Sequence, residues 1–224
     1  MDWELLPHNP LIVHIATLEQ LEQTMSGVLS KLAKKLIEKF WPGPLTLIVP
    51  KSEIIPAYTT AGLDTVAVRM PSHPLTLALI KTVGMPLAAP SANKSGSPST
   101  TRAEHVMEDL KGNIPLILDG GPCQVGVEST VVDVRKNKIN ILRPGGITRE
   151  RLNMVVQEKS DIQDYIKYKK DKCEKPLSPG MKYRHYSPRT PLYILNADNY
   201  NQYLAKIRNL YIKKMKTGFI LSEE

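Results

Sequence analysis

The 224-residue sequence lacks most features of secreted, membrane-spanning or disulfide-stapled proteins. Its only two cysteines, Cys123 and Cys173, have no partner at metal or redox spacing, which excludes a disulfide scaffold and favours a reducing, cytoplasmic setting. The longest apolar runs, residues 45–49 and 114–118, are far shorter than the ~18 residues of a membrane span. The N-terminus has neither a basic start nor an apolar signal core, so we expect no export and no membrane association.

The sequence also lacks the best-known catalytic and nucleotide-binding motifs. There is no G-x-x-x-x-G-K-[ST], no G-x-G-x-x-G after a strand, no H-E-x-x-H and no G-x-S-x-G. What is present is a set of loops rich in hydroxyl, amide and guanidinium groups, at residues 90–100 (PSANKSGSPST), Ser129, Thr130 and Arg143. Such groups suit phosphate and carboxylate oxygens. The alternative is that they are ordinary turn and capping residues.

The net charge of +8 is concentrated toward the C-terminus. Residues 159–218 hold 14 Lys and Arg against 5 Asp and Glu, so this segment carries +9 and the remainder −1. A cationic segment attracts polyanions, which makes a nucleic acid or a nucleotide an expected partner. A solvated lysine-rich linker is the alternative.

Alternating strand and helix patterns predict an α/β fold, a twisted mixed sheet with helices on its faces. Strands are predicted at residues 9–14, 45–49, 66–70, 87–89 (short and buried), 114–118, 127–134 and 138–143. Helices are predicted at residues 17–40, which Gly27 could divide, at 73–83 ended by Gly84, at 101–110 begun by a Thr101/Glu104 capping box, and at 148–156 capped by Thr148. Residues 1–157 then form one domain, residues 158–190 a linker, and residues 191–224 the start of a second α/β unit too short to bury its own sheet.

Several strings, in order, resemble a known family: Asn9-PLIVH, Lys39-FWPGPLTLIVP, Val66-AVRMPSHP, Pro86-LAAPSANKSGSPSTT, Leu118-DGGPCQVGVESTVVDV and Ile141-LRPGGIT. Together they are similar to the YrdC-like threonylcarbamoyl-AMP synthases over residues 9–157. Pro179-GMKYRHYSP resembles the linker of the longer, two-domain members. The resemblance implies a cytoplasmic enzyme that converts L-threonine, bicarbonate and ATP, accompanied by Mg²⁺, into threonylcarbamoyl-AMP and pyrophosphate. It also implies a partner complex that transfers the threonylcarbamoyl group to tRNA.

The resemblance assigns roles by position. Catalytic roles fall to Arg69, Ser91, Asn93 and Arg143. ATP contacts fall to Asn9, Thr65, Ser91, Ser99, Arg143 and His185, with Tyr183, Arg184 and Tyr186 in the same patch as His185. Threonine contacts fall to His14, Arg69, Ala89 and Ser129, and no residue is assigned as a metal ligand. The structural alternatives are a satisfied core histidine for His14, a strand-edge hydroxyl for Thr65 and an outward-facing polar position for Ser129.

The sequence departs from the family pattern at its N-terminus. Alignment of residues 9–14 places Trp3 and Leu5 where family members carry a Lys-x-Arg pair that grips ATP phosphates. The family's upstream strand pair, with its Pro-Thr-Glu-Thr segment, would precede Met1. We therefore expect an incomplete two-domain synthase, either a fragment or a chain with a misassigned start, and whether it is active alone stays open.

Two other functions are compatible with the same residues. One is a non-catalytic module of this fold that binds tRNA or double-stranded RNA through the +9 segment, and salt-sensitive RNA affinity without nucleotide dependence would distinguish it. The other is a relative that transfers a carbamoyl group from carbamoyl phosphate. Such relatives carry zinc-finger cysteines, and this sequence has no C-x-x-C.

Overall fold

The computed structural model describes residues 9–136, 138–156 and 162–164, with six helical positions between residues 201 and 209. The strands are β1 (Ile12–His14), β2 (Leu45–Pro50), β3 (Thr65–Arg69), β4 (Leu87–Ala89), β5 (Thr130–Asp133), β6 (Ile139–Arg143) and β7 (Ile162–Asp164). The helices are α1 (Leu18–Thr24), α2 (Lys31–Phe40), α3 (Pro74–Val83), α4 (Ala103–Leu110) and α5 (Arg149–Asn153). All twelve lie in the first of the two units into which the chain divides, residues 1–187 and 188–224.

The described strands form one mixed sheet in the order β4-β1-β3-β2-β5-β6-β7. β1 and β3 are parallel to each other, and β2 and β4 are antiparallel to them. β5 is parallel to β2, and β6 is antiparallel to β5. Consequently β1, β3 and β6 end where β2, β4 and β5 begin. We call this the site end of the sheet. The predicted α/β class and mixed sheet are confirmed.

The two faces of the sheet are packed differently. One face carries the main core, where Leu36 of α2 packs with Leu47 and Val68 of the central strands, all three fully buried. Burying each such side chain contributes about 1.5–3 kcal/mol. The opposite face carries a small apolar cluster of Ile12, Ile48, Ala67, Val131 and Leu142. Since side chains alternate along a strand, polar residues two positions away from these residues on the same strand lie on the same face of the sheet.

Helix ends follow the predicted capping signals at most positions. The Thr17 hydroxyl accepts a hydrogen bond from Gln20 N at 3.3 Å and begins α1. The chain breaks at Gly27, whose φ is +75°, before α2 begins. Gly84 ends α3 in the left-handed conformation, and Thr148 caps α5. The longest described helices have 10 residues, and none in the described ranges is long and apolar enough to cross a membrane.

Three predicted elements are wrong or altered. Residues 114–118 form no strand: Leu116 is 70% exposed, Leu118 is 52% exposed, and the segment makes only an isolated bridge. A strand needs a paired neighbour, and the described sheet offers none there. β4 is half-exposed rather than buried, because it lies at the edge of the described sheet. The Thr101/Glu104 capping box is also wrong, because α4 begins after Arg102 without a side-chain cap.

The C-terminal half of the domain differs in two further places. β5 begins at Thr130 rather than at residue 127, since Val127 is exposed and the ladder to β2 starts at Thr130. The predicted linker contains β7, which pairs in parallel with β6 and buries Ile162. The remaining predicted elements of the linker and of residues 191–224 lie outside the described residues, apart from six helical positions.

Candidate functional site

Strand direction brings four of the predicted residues to the site end of the sheet. His14 ends β1 opposite Arg69, which ends β3. Ser129 immediately precedes β5, and Arg143 ends β6. These four residues come from separate parts of the sequence, and the alternation of parallel and antiparallel neighbours places them together.

Arg143 donates hydrogen bonds to the backbone and the side chain of Ser129. Its Nε donates to the Ser129 carbonyl oxygen at 3.1 Å, and its Nη2 donates to that oxygen at 2.9 Å and to Ser129 Oγ at 3.0 Å. A β-bulge sets this direction. Arg143 pairs with Val131 while Ile141 pairs with Val132, so Leu142 is an extra residue in β6. Bulges commonly re-aim a side chain in this way.

Arg69 lies close enough to Arg143 for their charges to interact. Its Nε donates to the Gly43 carbonyl oxygen at 3.0 Å. Burial, and then the charge of Arg143, lower the pKa of the Arg69 guanidinium from its usual value. Because guanidinium groups stay charged in proteins, two of them side by side favour an anionic ligand such as a carboxylate or phosphate.

His14 is uncharged in this setting. Burial, and then the charge of Arg69, lower its pKa to about 4, while backbone hydrogen bonds with Leu87 and Ile12 act in the opposite direction. A neutral imidazole offers one donor and one acceptor nitrogen. His14 therefore adds no third positive charge to the site at neutral pH.

Two glycine-containing loops hold the strand ends in place. Pro44 O accepts from Thr130 N at 3.0 Å, and Gly146 N donates to Glu128 O at 2.9 Å. A Cβ on Gly145 would lie 2.6 Å from Ser129 C and 2.7 Å from Thr130 N, closer than real Cβ atoms come to backbone. Only glycine lets this loop pass so near the Ser129 backbone.

Sequence reasoning missed residues that position this site. Gly43 supplies the carbonyl that anchors Arg69, and a Cβ there would collide with Phe40 O. Thr46, fully buried in β2, has its Oγ1 2.7 Å from Ser129 Oγ. The usable signals were the Pro-Gly-Pro string before β2 and a single polar residue within the apolar run of that strand.

The serine-rich loop carries the next group of predicted residues. Asn93 braces the loop, since its Nδ2 donates to Lys94 O at 2.8 Å and to Ser97 O at 3.1 Å, while its buried Oδ1 has no partner among the described residues. Ser99 Oγ donates to Glu128 Oε1 at 2.6 Å and so ties the loop to the residue before Ser129. Ser91 is exposed.

The structure does not bring three further predicted residues, Thr65, Asn9 and Ala89, to the site end. Thr65 begins β3 four residues before Arg69, a separation of about 13 Å along a strand. Asn9 precedes β1 at that same far end, and its buried Oδ1 has no partner within the described residues. Ala89 lies opposite Ile12, two positions beyond the partner of His14. Tyr183, Arg184, His185 and Tyr186 lie outside the described residues.

Comparison of the chain with known proteins identifies its family. Residues 5–145 match the family model of Sua5, YciO and YrdC, described as "Telomere recombination". The chain belongs to the Sua5/YciO/YrdC family. Residues 147–224 match a second model, "Threonylcarbamoyl-AMP synthase, C-terminal domain", found in the two-domain Sua5 members. The predicted resemblance is therefore confirmed.

Relatives in this family cover most of the chain. A threonylcarbamoyl-AMP synthase of Bacillus subtilis is 54% identical over 187 residues, which are 83% of this chain and 53% of that protein. The synthase of Pyrococcus abyssi is 45% identical over 94% of this chain and 60% of its own length. A crystal structure of P. abyssi Sua5 complexed with L-threonine superposes with a TM-score of 0.82, covering 92% of this chain and 59% of that one. The chain thus spans slightly more than half the length of these relatives.

Proposed function

We propose that this chain carries the catalytic domain of an L-threonylcarbamoyl-adenylate synthase. Its relatives of 54% and 45% identity bear the name threonylcarbamoyl-AMP synthase, and a relative of the same fold has been crystallised with L-threonine. The observation that carries the proposal is the meeting of Arg69, Arg143, Ser129 and neutral His14 at the site end of the sheet. Two arginines, a hydroxyl and an uncharged imidazole suit an amino acid with a carboxylate.

In this proposal Arg69 binds the threonine carboxylate. A planar guanidinium can hold a carboxylate through two parallel hydrogen bonds, and Arg69 is already anchored through its Nε by Gly43. Ser129 and His14 complete the threonine site beside it. Ala89, which the family resemblance also assigns to threonine, lies opposite Ile12 rather than at the site end. Because His14 is neutral, it does not repel the ammonium group of threonine.

The reaction needs positioning and charge stabilisation rather than an enzymic nucleophile. The threonine amine combines with bicarbonate to give a carbamate and water. A carbamate oxygen then attacks the α-phosphorus of ATP, the bond to the β-phosphate oxygen breaks, and pyrophosphate leaves. Arg143, beside Ser129, would offset negative charge on the reacting groups, as fixed cations do in phosphoryl transfer.

The serine-rich loop would hold the nucleotide. Ser91, Ser99 and Asn93 offer hydroxyl and amide groups for phosphate oxygens, and the Ser99–Glu128 bond joins this loop to the threonine site. Thr65 and Asn9, at the far end of the strands, would contact the more distant part of an extended ATP molecule. We extend the proposal to His185, which the family resemblance assigns to the nucleotide.

Mg²⁺ fits this site as an ion that arrives with ATP. Within the described residues no three His, Cys, Asp or Glu side chains are grouped to hold a metal, and Mg²⁺ is usually held by one or two carboxylates together with substrate phosphates. Glu128, next to Ser99, is a carboxylate that could serve. The ion would supply neutralisation of phosphate charge.

The organisation and setting of the protein form part of the same proposal. Residues 1–157 would be the synthase domain, residues 158–190 a linker that covers the nucleotide, and residues 191–224 the beginning of a C-terminal domain. The product would pass to a complex that modifies tRNA in the cytoplasm. The presence of only two cysteines supports a reducing compartment.

Pyrophosphate release tests the proposal directly. The chain is incubated with ATP, L-threonine and bicarbonate, and each is omitted in turn while L-threonine and ATP binding are measured in parallel. We expect release that requires all three and falls about a hundredfold in Arg143→Ala. Arg135→Ala is the matched control, because Arg135 lies away from the site and pairs with Asp133 at an N–O distance of 2.7 Å. Pyrophosphate release by this variant should match that of the parent chain.

Two outcomes would contradict the proposal. Pyrophosphate release that continues without threonine would indicate a different adenylating reaction. Absence of both turnover and threonine binding, together with salt-sensitive binding of RNA that ignores nucleotide, would favour the RNA-binding function instead. The names of the relatives and the threonine-bound structure support the synthase over that alternative.

A further inference from the structure

Thr46 is an unusual residue for its place in the sheet. It interrupts the apolar run of β2, a central strand flanked by β3 and β5, and it is fully buried. The pairing of Leu47 with Val68 puts Thr46 opposite Arg69 at the next position. Its hydroxyl oxygen lies 2.7 Å from Ser129 Oγ. Thr46 therefore lies between Arg69 and Ser129, which are both assigned to the threonine site.

The protons of the two hydroxyls can be counted. Among the described residues, Ser129 Oγ is the only hydrogen-bonding partner of the Thr46 hydroxyl. Either oxygen could donate in this contact. With a carboxylate bound beside Ser129, donation by Thr46 gives both hydroxyl protons an acceptor, whereas the reverse direction leaves the buried Thr46 proton without one. We therefore assign Thr46 as the donor. Ser129 Oγ also accepts from Arg143 Nη2 at 3.0 Å. Both of its acceptor positions are then filled, and its own proton is left to donate.

We propose that Thr46 is a positioning residue that fixes the Ser129 hydroxyl as a hydrogen-bond donor toward the substrate carboxylate. The assignment rests on the proposed function, in which Arg69 binds that carboxylate. This arrangement makes the site selective for an anionic group at this position. Ser129 presents a proton to an anionic oxygen and has no free lone pair for an ammonium group. Thr46 itself touches no substrate and acts through Ser129.

The test measures binding by calorimetry with two probes, L-threonine and its uncharged amide, L-threoninamide. Thr46→Val keeps the shape of the side chain and removes the hydroxyl, so threonine affinity should fall about tenfold, the scale of one hydrogen bond to a charged group. Thr46→Ser restores the hydroxyl and should recover most of that loss. The amide offers a neutral carbonyl oxygen, which accepts a weaker hydrogen bond than a carboxylate oxygen, so its affinity should fall less than that of threonine in Thr46→Val.

A double-mutant cycle separates positioning from a general structural effect. In the Ser129→Ala background, Thr46→Val should cause no further loss of threonine affinity, because its effect passes through the missing hydroxyl. Additive losses, or a Thr46→Ser variant as weak as Thr46→Val, would overturn the inference. If Thr46→Val does not fold, Thr46→Cys, a weak donor of similar size, is expected to show several-fold weaker threonine binding.

The failure of this inference can be told from the failure of the proposed function. A parent chain that binds L-threonine, with a Thr46→Val variant that binds it equally well, overturns only the role of Thr46. A parent chain that binds neither L-threonine nor ATP overturns the proposed function and the role of Thr46 with it.

Discussion

The two arginines at the site end are expected to have separable effects on the substrates. Arg69 is held by Gly43 beside His14, in the proposed threonine part of the site, whereas Arg143 adjoins Ser129 and is assigned to ATP in the proposed function. We therefore expect Arg69→Met to raise the KM for threonine about a hundredfold while the KM for ATP changes much less. Steady-state pyrophosphate release with each substrate varied in turn measures both constants.

The control for Arg69→Met is Arg135→Met, which removes an exposed arginine paired only locally with Asp133. It should leave both KM values unchanged. An Arg69→Met variant whose KM for ATP rises as much as its KM for threonine would argue against the placement of the carboxylate at Arg69.

The stability of the fold should depend on pH through His14. Its pKa falls from 6.5 in the unfolded chain to about 4 in the folded protein, so the unfolded state binds more protons between these values. Stability should therefore decrease as pH falls from 6.5 to about 4. The full contribution is about 3 kcal/mol at most. Urea unfolding at several pH values should show a shallower decrease in His14→Gln, and equal slopes would contradict the shifted pKa.

At the scale of elements, the loop after β6 controls where Ser129 lies. Gly145→Ala would force a Cβ against backbone atoms of Ser129 and Thr130, which cannot turn away as a side chain could. We expect a loss of about 1–3 kcal/mol in the free energy of unfolding, accompanied by weaker threonine binding. Chemical denaturation and calorimetry measure the two effects.

Gly112→Ala is the matched control for Gly145→Ala. Gly112 has φ of +83° and open space around its missing Cβ, so the substitution should cost about 1 kcal/mol from backbone conformation alone. It should leave threonine binding unchanged. Comparable effects of the two substitutions on binding would contradict the role given to the loop.

The sequence predicted much of the fold because local signals and tertiary packing agree there. Thr17, Gly27 and Gly84 mark helix boundaries that the structure reproduces. Residues 114–118 were predicted as a strand from their apolar run, yet a strand also requires a paired neighbour, and a single run of residues does not reveal one. β7 was missed for the converse reason, since pairing with β6 forms it within a polar segment.

The site was predicted in part, for reasons that depend on the residue. His14, Arg69, Ser129 and Arg143 stand at strand ends beside turns, where binding residues collect, and the family resemblance marks them. Thr46 escaped notice because its role depends on Ser129, which lies 83 residues away in the sequence. Its contact follows from the register between β2 and β5, which local patterns do not specify.

At the scale of the whole molecule, the bulk positive charge and the two arginines of the candidate site lie in different parts of the sequence. Residues 159–218 carry +9 and the rest of the chain −1, whereas Arg69 and Arg143 lie outside that segment. Because partly buried charges are screened weakly, we expect threonine affinity to change less than about threefold between roughly 50 and 200 mM salt. RNA held by the basic segment would lose about a thousandfold or more over that range.

Calorimetric titrations at the two salt concentrations distinguish these sources of binding. Threonine affinity that falls as steeply as RNA affinity would indicate a diffuse electrostatic interaction in place of a built site.

The central claim is that the site end of the sheet binds the carboxylate of threonine. A crystal structure of this chain with L-threonine tests it most directly. The account predicts the carboxylate within hydrogen-bonding distance of both the Arg69 guanidinium and Ser129 Oγ. Threonine bound with its carboxylate away from both groups, or bound elsewhere on the chain, would contradict the account.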